Sequence, residues 1–102
     1  MVDAIRRAIL LRMSDITFNE KDSRYEQNVE NLTVYARTHM KSETLYVDYV
    51  FAPPELRGKG AAGAFMKGLM ELARGKNWKV EPVCGYAAGW LQRHKEFDDL
   101  KA

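Results

Sequence analysis

The chain has 102 residues and a mass of 11.7 kDa, a length that fits one domain and not two. An apolar fraction of 46% argues against disorder, and a net charge of +2 excludes a general field for binding nucleic acid. One cysteine and two distant histidines exclude an internal disulfide framework and leave little from which to build a metal centre. No stretch approaches the ~20 apolar residues that span a bilayer. We therefore expect a soluble, single-domain protein of the cytoplasm.

Residues 1–13 form a basic, amphipathic segment ahead of the first predicted strand. Its apolar side chains recur at helical spacing, with arginines between them. A leader segment or a surface helix is the simpler interpretation, and a mitochondrial presequence is the alternative. The remainder, residues 14–102, is predicted to be a single domain.

Alternating side chains predict strands over residues 24–29, 32–40 and 45–52. The short polar connections between these segments predict an antiparallel meander. In the third segment we expect one face to carry four side chains, those of Leu45, Val47, Tyr49 and Phe51.

After Pro53 the periodicity changes to that of an amphipathic helix over residues 60–75, which Gly75 ends. A short strand over 79–83 contains Pro82, which indicates an edge or a locally splayed pairing. A second helix is predicted over 86–94, where His94 would contact the terminal carbonyls. The order of elements predicts an α+β fold with helices packed on a mixed sheet. The segment 95–99 is expected to be a solvated tail, and His39 a solvated residue beside Arg37.

A glycine-rich segment joins the third strand to the first helix and is suited to binding an anion. Small residues let backbone N–H groups approach a ligand, and the helix amino end adds partial positive charge. One interpretation is the dinucleotide fingerprint Gly58-x-Gly60-x-x-Gly63, with Glu81 near the position of a ribose-binding acid. Its context differs, because five residues separate the strand from the first glycine and the preceding half is a meander. A nucleotide therefore stays as the less favoured ligand.

The run Pro54-x-x-Arg57-Gly58-x-Gly60-x-Ala62 resembles the pyrophosphate-binding loop of the GNAT superfamily of N-acetyltransferases. The resemblance extends over most of residues 14–100. It implies a mostly antiparallel sheet of roughly four to five strands that ends in a splayed parallel pair.

Cys84-Gly85-Tyr86 resembles the Cys-x-Tyr of the small, stand-alone members of that superfamily. This chain departs from their pattern at Gly85, where a proline is common. It departs again at Tyr49-Val50-Phe51, where a His-Thr-acidic run is common. The usual carboxylate candidate for a general base is therefore missing.

The resemblance implies that acetyl-CoA lies between the strands 45–52 and 79–84. Its pantetheine arm would hydrogen-bond the end of the first strand, and its pyrophosphate would lie on the loop backbone. The residues assigned in this way to the cofactor are Phe51, Ala52, Arg57, Gly58, Lys59, Gly60, Ala61 and Ala62.

Tyr86 is the candidate that returns a proton to the leaving thiolate, and Cys84 is the other candidate, as nucleophile or acid. For Cys84 the alternative is a small, buried packing residue, and Tyr86 could simply anchor its helix. The implied activity is transfer of an acetyl group from acetyl-CoA to a primary amine of a small molecule or a protein. A non-catalytic acyl-CoA-binding module is the alternative. No nucleic-acid or membrane partner is expected, and the chain is expected to be a monomer or a homodimer.

Overall fold

The computed structural model describes residues 16–102 and has an α+β architecture, as the sequence predicts. The proposed leader segment, residues 1–13, lies outside the described residues. The elements in chain order are β1 (Thr17–Asn19), β2 (Arg24–Val29), β3 (Leu32–Lys41), β4 (Thr44–Phe51), a 3₁₀ turn (Pro54–Leu56), α1 (Ala61–Gly75), β5 (Lys79–Pro82), α2 (Gly85–Arg93) and a second 3₁₀ segment (Lys95–Leu100).

The five strands lie in the sheet in chain order, β1-β2-β3-β4-β5. The first four pair antiparallel, and β5 pairs parallel to β4 at the edge. Two tight hairpins set the antiparallel half. Each has two consecutive residues with positive φ, Glu30-Asn31 at 52° and 65° and Ser42-Glu43 at 50° and 63°. Paired left-handed residues match the right-handed twist of the flanking strands, so both connections stay at two residues.

One face of the sheet packs against both helices and forms a single core. The apolar stripe of α1 contributes Phe65, Met66, Leu69, Met70 and Ala73, all fully buried. The helix ends at Gly75 as predicted, but the residue with positive φ beyond it is Asn77, at 60°. None of the helices within residues 16–102 has the length and apolar character needed to cross a membrane.

The expectation that Leu45, Val47, Tyr49 and Phe51 share one face is wrong, because β4 contains a bulge. Thr38 pairs with Val47 and Arg37 with Tyr49, which leaves Asp48 as an extra residue on β4. The alternation therefore reverses beyond Asp48, since one inserted residue moves each later side chain to the opposite face. Leu45 and Val47 lie in the core, whereas Tyr49 is 47% exposed.

The expectation of a solvated tail is also wrong. Phe97 and Leu100 are buried in the core. Arg74 holds this segment to α1, because its Nη2 donates to Asp99 Oδ1 at 2.6 Å and to the Glu96 carbonyl oxygen at 2.8 Å. The chain then runs along β5, where the Ala102 N–H donates to the Val80 carbonyl at 3.1 Å. The C-terminal segment thus covers part of the free edge of β5.

Candidate functional site

The parallel strands β4 and β5 part in the middle of β4. Their pairing runs from Thr44 and Lys79 to Val47 and Pro82. At that point the N–H groups of Val83 and Cys84 both donate to the Val47 carbonyl, at 2.9 Å and 3.2 Å. The rest of β4 pairs with β3 alone, so the splayed parallel pair expected from the sequence is present.

A cavity of about 280 Å³ lies beside the unpaired end of β4. This volume is slightly below the range of ~300–1,000 Å³ that is usual for a whole small-molecule ligand. It therefore suits one extended part of a larger ligand. The residues lining it are Tyr49, Val50, Phe51, Ala52, Arg57, Ala62 and Tyr86.

The glycine-rich loop leads from this cavity into α1 through two residues in the left-handed region. Gly58 has φ +81° and Gly60 has φ +77°, conformations that side chains rarely adopt. The helix begins where the Ala64 N–H donates to the Gly60 carbonyl at 3.0 Å. Most amides before Ala64 have no backbone carbonyl of residues 16–102 as an acceptor. These are the amides of Gly58, Gly60, Ala61, Ala62 and Gly63. Such amides, with the partial positive charge of a helix N-terminus, can bind a phosphate.

The two cations of the loop differ in their placement. The Arg57 Nε donates to the Ala52 carbonyl at 3.1 Å, which ties the loop to the end of β4 and places Arg57 on the cavity wall. Lys59 is directed away, with Nζ 3.9 Å from Glu30 Oε2 beside the β2–β3 hairpin. Because both partners are well exposed, this ion pair contributes little stability.

The structure brings some of the predicted cofactor residues together and leaves others apart. Phe51, Ala52, Arg57 and Ala62 line one cavity. Gly58, Lys59 and Gly60 lie on the loop and Ala61 begins α1, and none of these four residues lines that cavity.

Cys84 and Tyr86 lie at the start of α2 and have different environments. Cys84 is the N-cap, and its half-buried Sγ accepts a hydrogen bond from the Ala87 N–H at 3.4 Å. Tyr86 lines the cavity. Burial raises the pKa of Tyr86, Arg93 opposes that rise and Cys84 adds to it. A phenol of ordinary pKa (~10) is already protonated at neutral pH, so this hydroxyl carries a proton with or without the rise.

The two histidines give one confirmed prediction and one correction. His94 Nδ1 lies 2.7 Å from the Trp90 carbonyl, as expected of a histidine at the end of a helix. His39 is exposed but it is not simply solvated, because its Nδ1 lies 2.7 Å from Asp48 Oδ2. The sequence does not predict this pair, because no motif joins residues nine positions apart on neighbouring strands.

The antiparallel order of β1–β4 differs from the parallel βαβ arrangement in which a dinucleotide fingerprint acts.

A structure from Staphylococcus aureus, described as a "GCN5-like putative N-acetyltransferase", has the same fold as this chain. The two are similar with a TM-score of 0.68 and 19% sequence identity, over 87% of this chain and 88% of the other. No curated protein matches the chain in sequence. The profile of the GCN5-related N-acetyl-transferases matches residues 24–100, and the chain belongs to that family.

Proposed function

We propose that this protein transfers the acetyl group of acetyl-CoA to a primary amine. The observation that carries the proposal is the continuity of two features of the site. The cleft between β4 and β5 opens onto the glycine-rich loop, whose amides lack backbone acceptors within residues 16–102. An extended arm that ends in a diphosphate is the ligand shape that both features fit.

The loop and the open end of β4 would bind different parts of the coenzyme. The amides of Gly58 and of residues 60–63 would hold the pyrophosphate, with the Arg57 guanidinium adding charge at the cavity wall. The pantetheine arm would lie along the end of β4 that does not pair with β5. The cavity accommodates that arm, while the nucleotide end would extend over the surface.

In the reaction, the amine nitrogen forms a bond to the thioester carbonyl carbon and the bond from that carbon to sulfur breaks. Tyr86 is the candidate donor of the proton that the sulfur requires, because it lines the cavity and a phenol, with an ordinary pKa of ~10, is protonated at neutral pH. Cys84 does not line the cavity, and its Sγ already accepts the capping hydrogen bond from Ala87. These contacts favour a structural role for Cys84 over nucleophilic catalysis.

Calorimetric titration with CoA, acetyl-CoA and NAD tests the cofactor part of the proposal. We expect saturable binding of CoA and acetyl-CoA and none of NAD. Absence of heat with millimolar CoA would contradict the proposal. A thermal shift caused by NAD alone would favour the dinucleotide alternative, since a ligand that binds the folded state raises the unfolding midpoint.

A non-catalytic acyl-CoA-binding module is the second candidate, and one observation favours it. Among residues 16–102, none that lines the cavity has a carboxylate or an imidazole, the side chains that most often act as a general base. Thiol release from acetyl-CoA in the presence of primary amines discriminates between the candidates. Binding of acetyl-CoA without release by any amine would support the binding module.

A further inference from the structure

We propose that His39 is the base that accepts the proton of the amine, and that the amine approaches over the sheet face opposite the helices. This inference rests on the proposed function and adds the group that the cavity wall lacks. Asp48 acts through His39 and is a positioning residue.

The pair joins two neighbouring strands on one face of the sheet. His39 on β3 is opposite Tyr46 on β4, and Asp48 lies two residues further along β4. Such diagonal neighbours share a face and are within reach of each other. The observed separation of His39 Nδ1 and Asp48 Oδ2 is 2.7 Å.

The surroundings of His39 leave one ring nitrogen available. A carboxylate only accepts hydrogen bonds, so Nδ1 donates its proton to Asp48, and in the neutral imidazole the lone pair is then on Nε2. The imidazole stacks on the ring of Tyr46, with centroids 4.6 Å apart and planes inclined by 16°. The side chain of His39 is 54% exposed, so an incoming amine can reach the free nitrogen.

The pair lies at the closed end of the cleft. Asp48 is the first residue of β4 beyond the last pair with β5, that of Val47 and Pro82. It directly precedes Tyr49, which lines the cavity. Four residues of strand separate Asp48 from Ala52, or roughly 13 Å at about 3.3 Å per residue. An extended arm that starts at the loop and follows β4 would bring its thioester to this end.

The charged and titratable groups around the pair come from three strands. On β3, Arg37 and Lys41 lie two residues before and after His39 and share its face. On β5, Glu81 is opposite Tyr46. Its half-buried carboxylate has no hydrogen-bonding or ion-pair partner within residues 16–102. Together with Asp48, this acid favours an acceptor that arrives as an ammonium ion.

The proposed step conserves protons and electrons. One ammonium proton passes to His39 Nε2 and from there to solvent. The freed lone pair forms the bond between nitrogen and the carbonyl carbon, and the electrons of the broken bond between carbon and sulfur stay on sulfur. A second proton from the same nitrogen reaches the sulfur through the Tyr86 hydroxyl, which gives one proton and receives one. The products are an amide and a free thiol.

The test compares His39→Ala with Lys41→Gln, an exposed residue on the same strand and face. Thiol release is followed with acetyl-CoA and three probes: spermidine, a lysine peptide and an aromatic monoamine. For the amine that the wild type uses best, we expect His39→Ala to lower kcat about 100-fold or more, because a general base contributes ~10²–10⁴. The affinity for CoA should stay within about threefold of the wild type, and Lys41→Gln should retain full activity. Added imidazole should restore part of the activity of His39→Ala and none of that lost in Tyr86→Phe.

Asp48→Asn tests the positioning role. An amide donates to Nδ1 and moves the ring proton to Nε2, so kcat should fall about tenfold or more with KM for acetyl-CoA unchanged. His39→Gln serves as a second variant if His39→Ala does not fold. An unchanged kcat in the folded histidine variant, or no rescue by imidazole, would overturn the inference while leaving the proposed function in place. Binding of acetyl-CoA by the wild type without thiol release from any of the three amines would overturn the proposed transfer and this inference with it. Failure to bind CoA at all would instead overturn the proposed function.

Discussion

The two ends of β4 have different neighbours and different exposure. Residues 44–47 pair with β3 on one side and β5 on the other, and Leu45 and Val47 are fully buried. Residues 49–51, beyond the extra residue Asp48, pair with β3 alone, and Tyr49 is 47% exposed. One strand therefore contributes to the core at its start and forms the wall of a binding cavity at its end. A bulge at Asp48 and the loss of pairing after Pro82 separate the two ends.

The closed end of β4 contributes mainly to stability, and the open end contributes mainly to function. At the closed end the side chains of Leu45 and Val47 are surrounded by packed neighbours, so truncating either leaves a void. At the open end the cleft side of the strand lacks a protein partner and can bind an extended ligand. Substitutions at the closed end should thus affect unfolding, and those at the open end or its loop should affect binding and turnover.

The largest expected effect on stability is that of Leu45→Ala. We expect the free energy of unfolding to fall by about 3 kcal/mol, within the ~2–5 kcal/mol typical of a buried leucine. Tyr49→Ala at the open end should cost less than about 1 kcal/mol, because its ring is 47% exposed. Urea unfolding of both variants measures the difference. Equal costs would remove the distinction between the two ends.

Gly60→Val should weaken CoA binding by about 100-fold or more. At φ +77° a β-branched residue is strained, so the loop would change its path and its amides would no longer converge. Gly75→Ala is the matched control, since an added Cβ there meets nothing within 4 Å and φ is not positive. Calorimetric titration of the two folded variants provides the test. Full affinity in Gly60→Val would mean that the phosphates lie elsewhere.

Tyr86→Phe should lower kcat by about tenfold to 100-fold and leave the affinity for CoA nearly unchanged. The substitution removes the proton of a hydroxyl on the cavity wall and keeps the ring. Steady-state thiol release, together with calorimetry, separates the two effects. An unchanged kcat would assign Tyr86 to packing alone.

The smallest expected effect is that of pH on the free energy of unfolding. It arises from Glu26 on β2, in the half of the sheet remote from the cleft. The hydrogen bond from Arg24, at 2.5 Å, and then that from Asn19 hold the pKa of Glu26 below its ordinary value. A lowered pKa in the folded state stabilises the fold above about pH 4.5, and this contribution disappears as the pH falls through the folded-state pKa. The pair is partly solvated, so we expect less than about 1 kcal/mol.

The measurement is the difference in unfolding free energy between wild type and Glu26→Gln at pH 7 and at pH 3. The wild type should be the more stable protein at pH 7, and the gap should narrow as the pH is lowered to 3. CoA affinity should be the same in both. A gap that widens in acid would contradict the sign of the shift.

Strands β2–β5 and the two α-helices are predictable from the sequence because their signals are local, whereas the three-residue strand β1 was not predicted. Alternation, helical spacing and short polar turns all act within a few residues. The bulge was not predictable in this way, because Asp48 becomes an extra residue only through its pairing with β3. The burial of Phe97 likewise depends on a distant contact, that of Arg74 with Asp99.

In the candidate site, too, features that depend on local sequence were predictable and features that depend on distant contacts were not. The glycine pattern predicted the loop, because positive φ is a local property of Gly58 and Gly60, whose amides have no backbone acceptor in the described part of the chain. Val50 on the cavity wall and the pair of His39 with Asp48 were not anticipated. The position of Val50 depends on the reversal of alternation and the histidine pair depends on cross-strand register. Neither can be recognised in a single stretch of sequence.

The most direct test of the central claim is a ¹⁵N–¹H NMR titration of the protein with acetyl-CoA. We predict the largest amide shifts at Gly58, at residues 60–63 and along residues 48–52, with little change in β1 and β2. Saturation of those shifts together would show that one ligand occupies both the loop and the open end of β4. Shifts confined to other surfaces, or none at millimolar acetyl-CoA, would contradict the account.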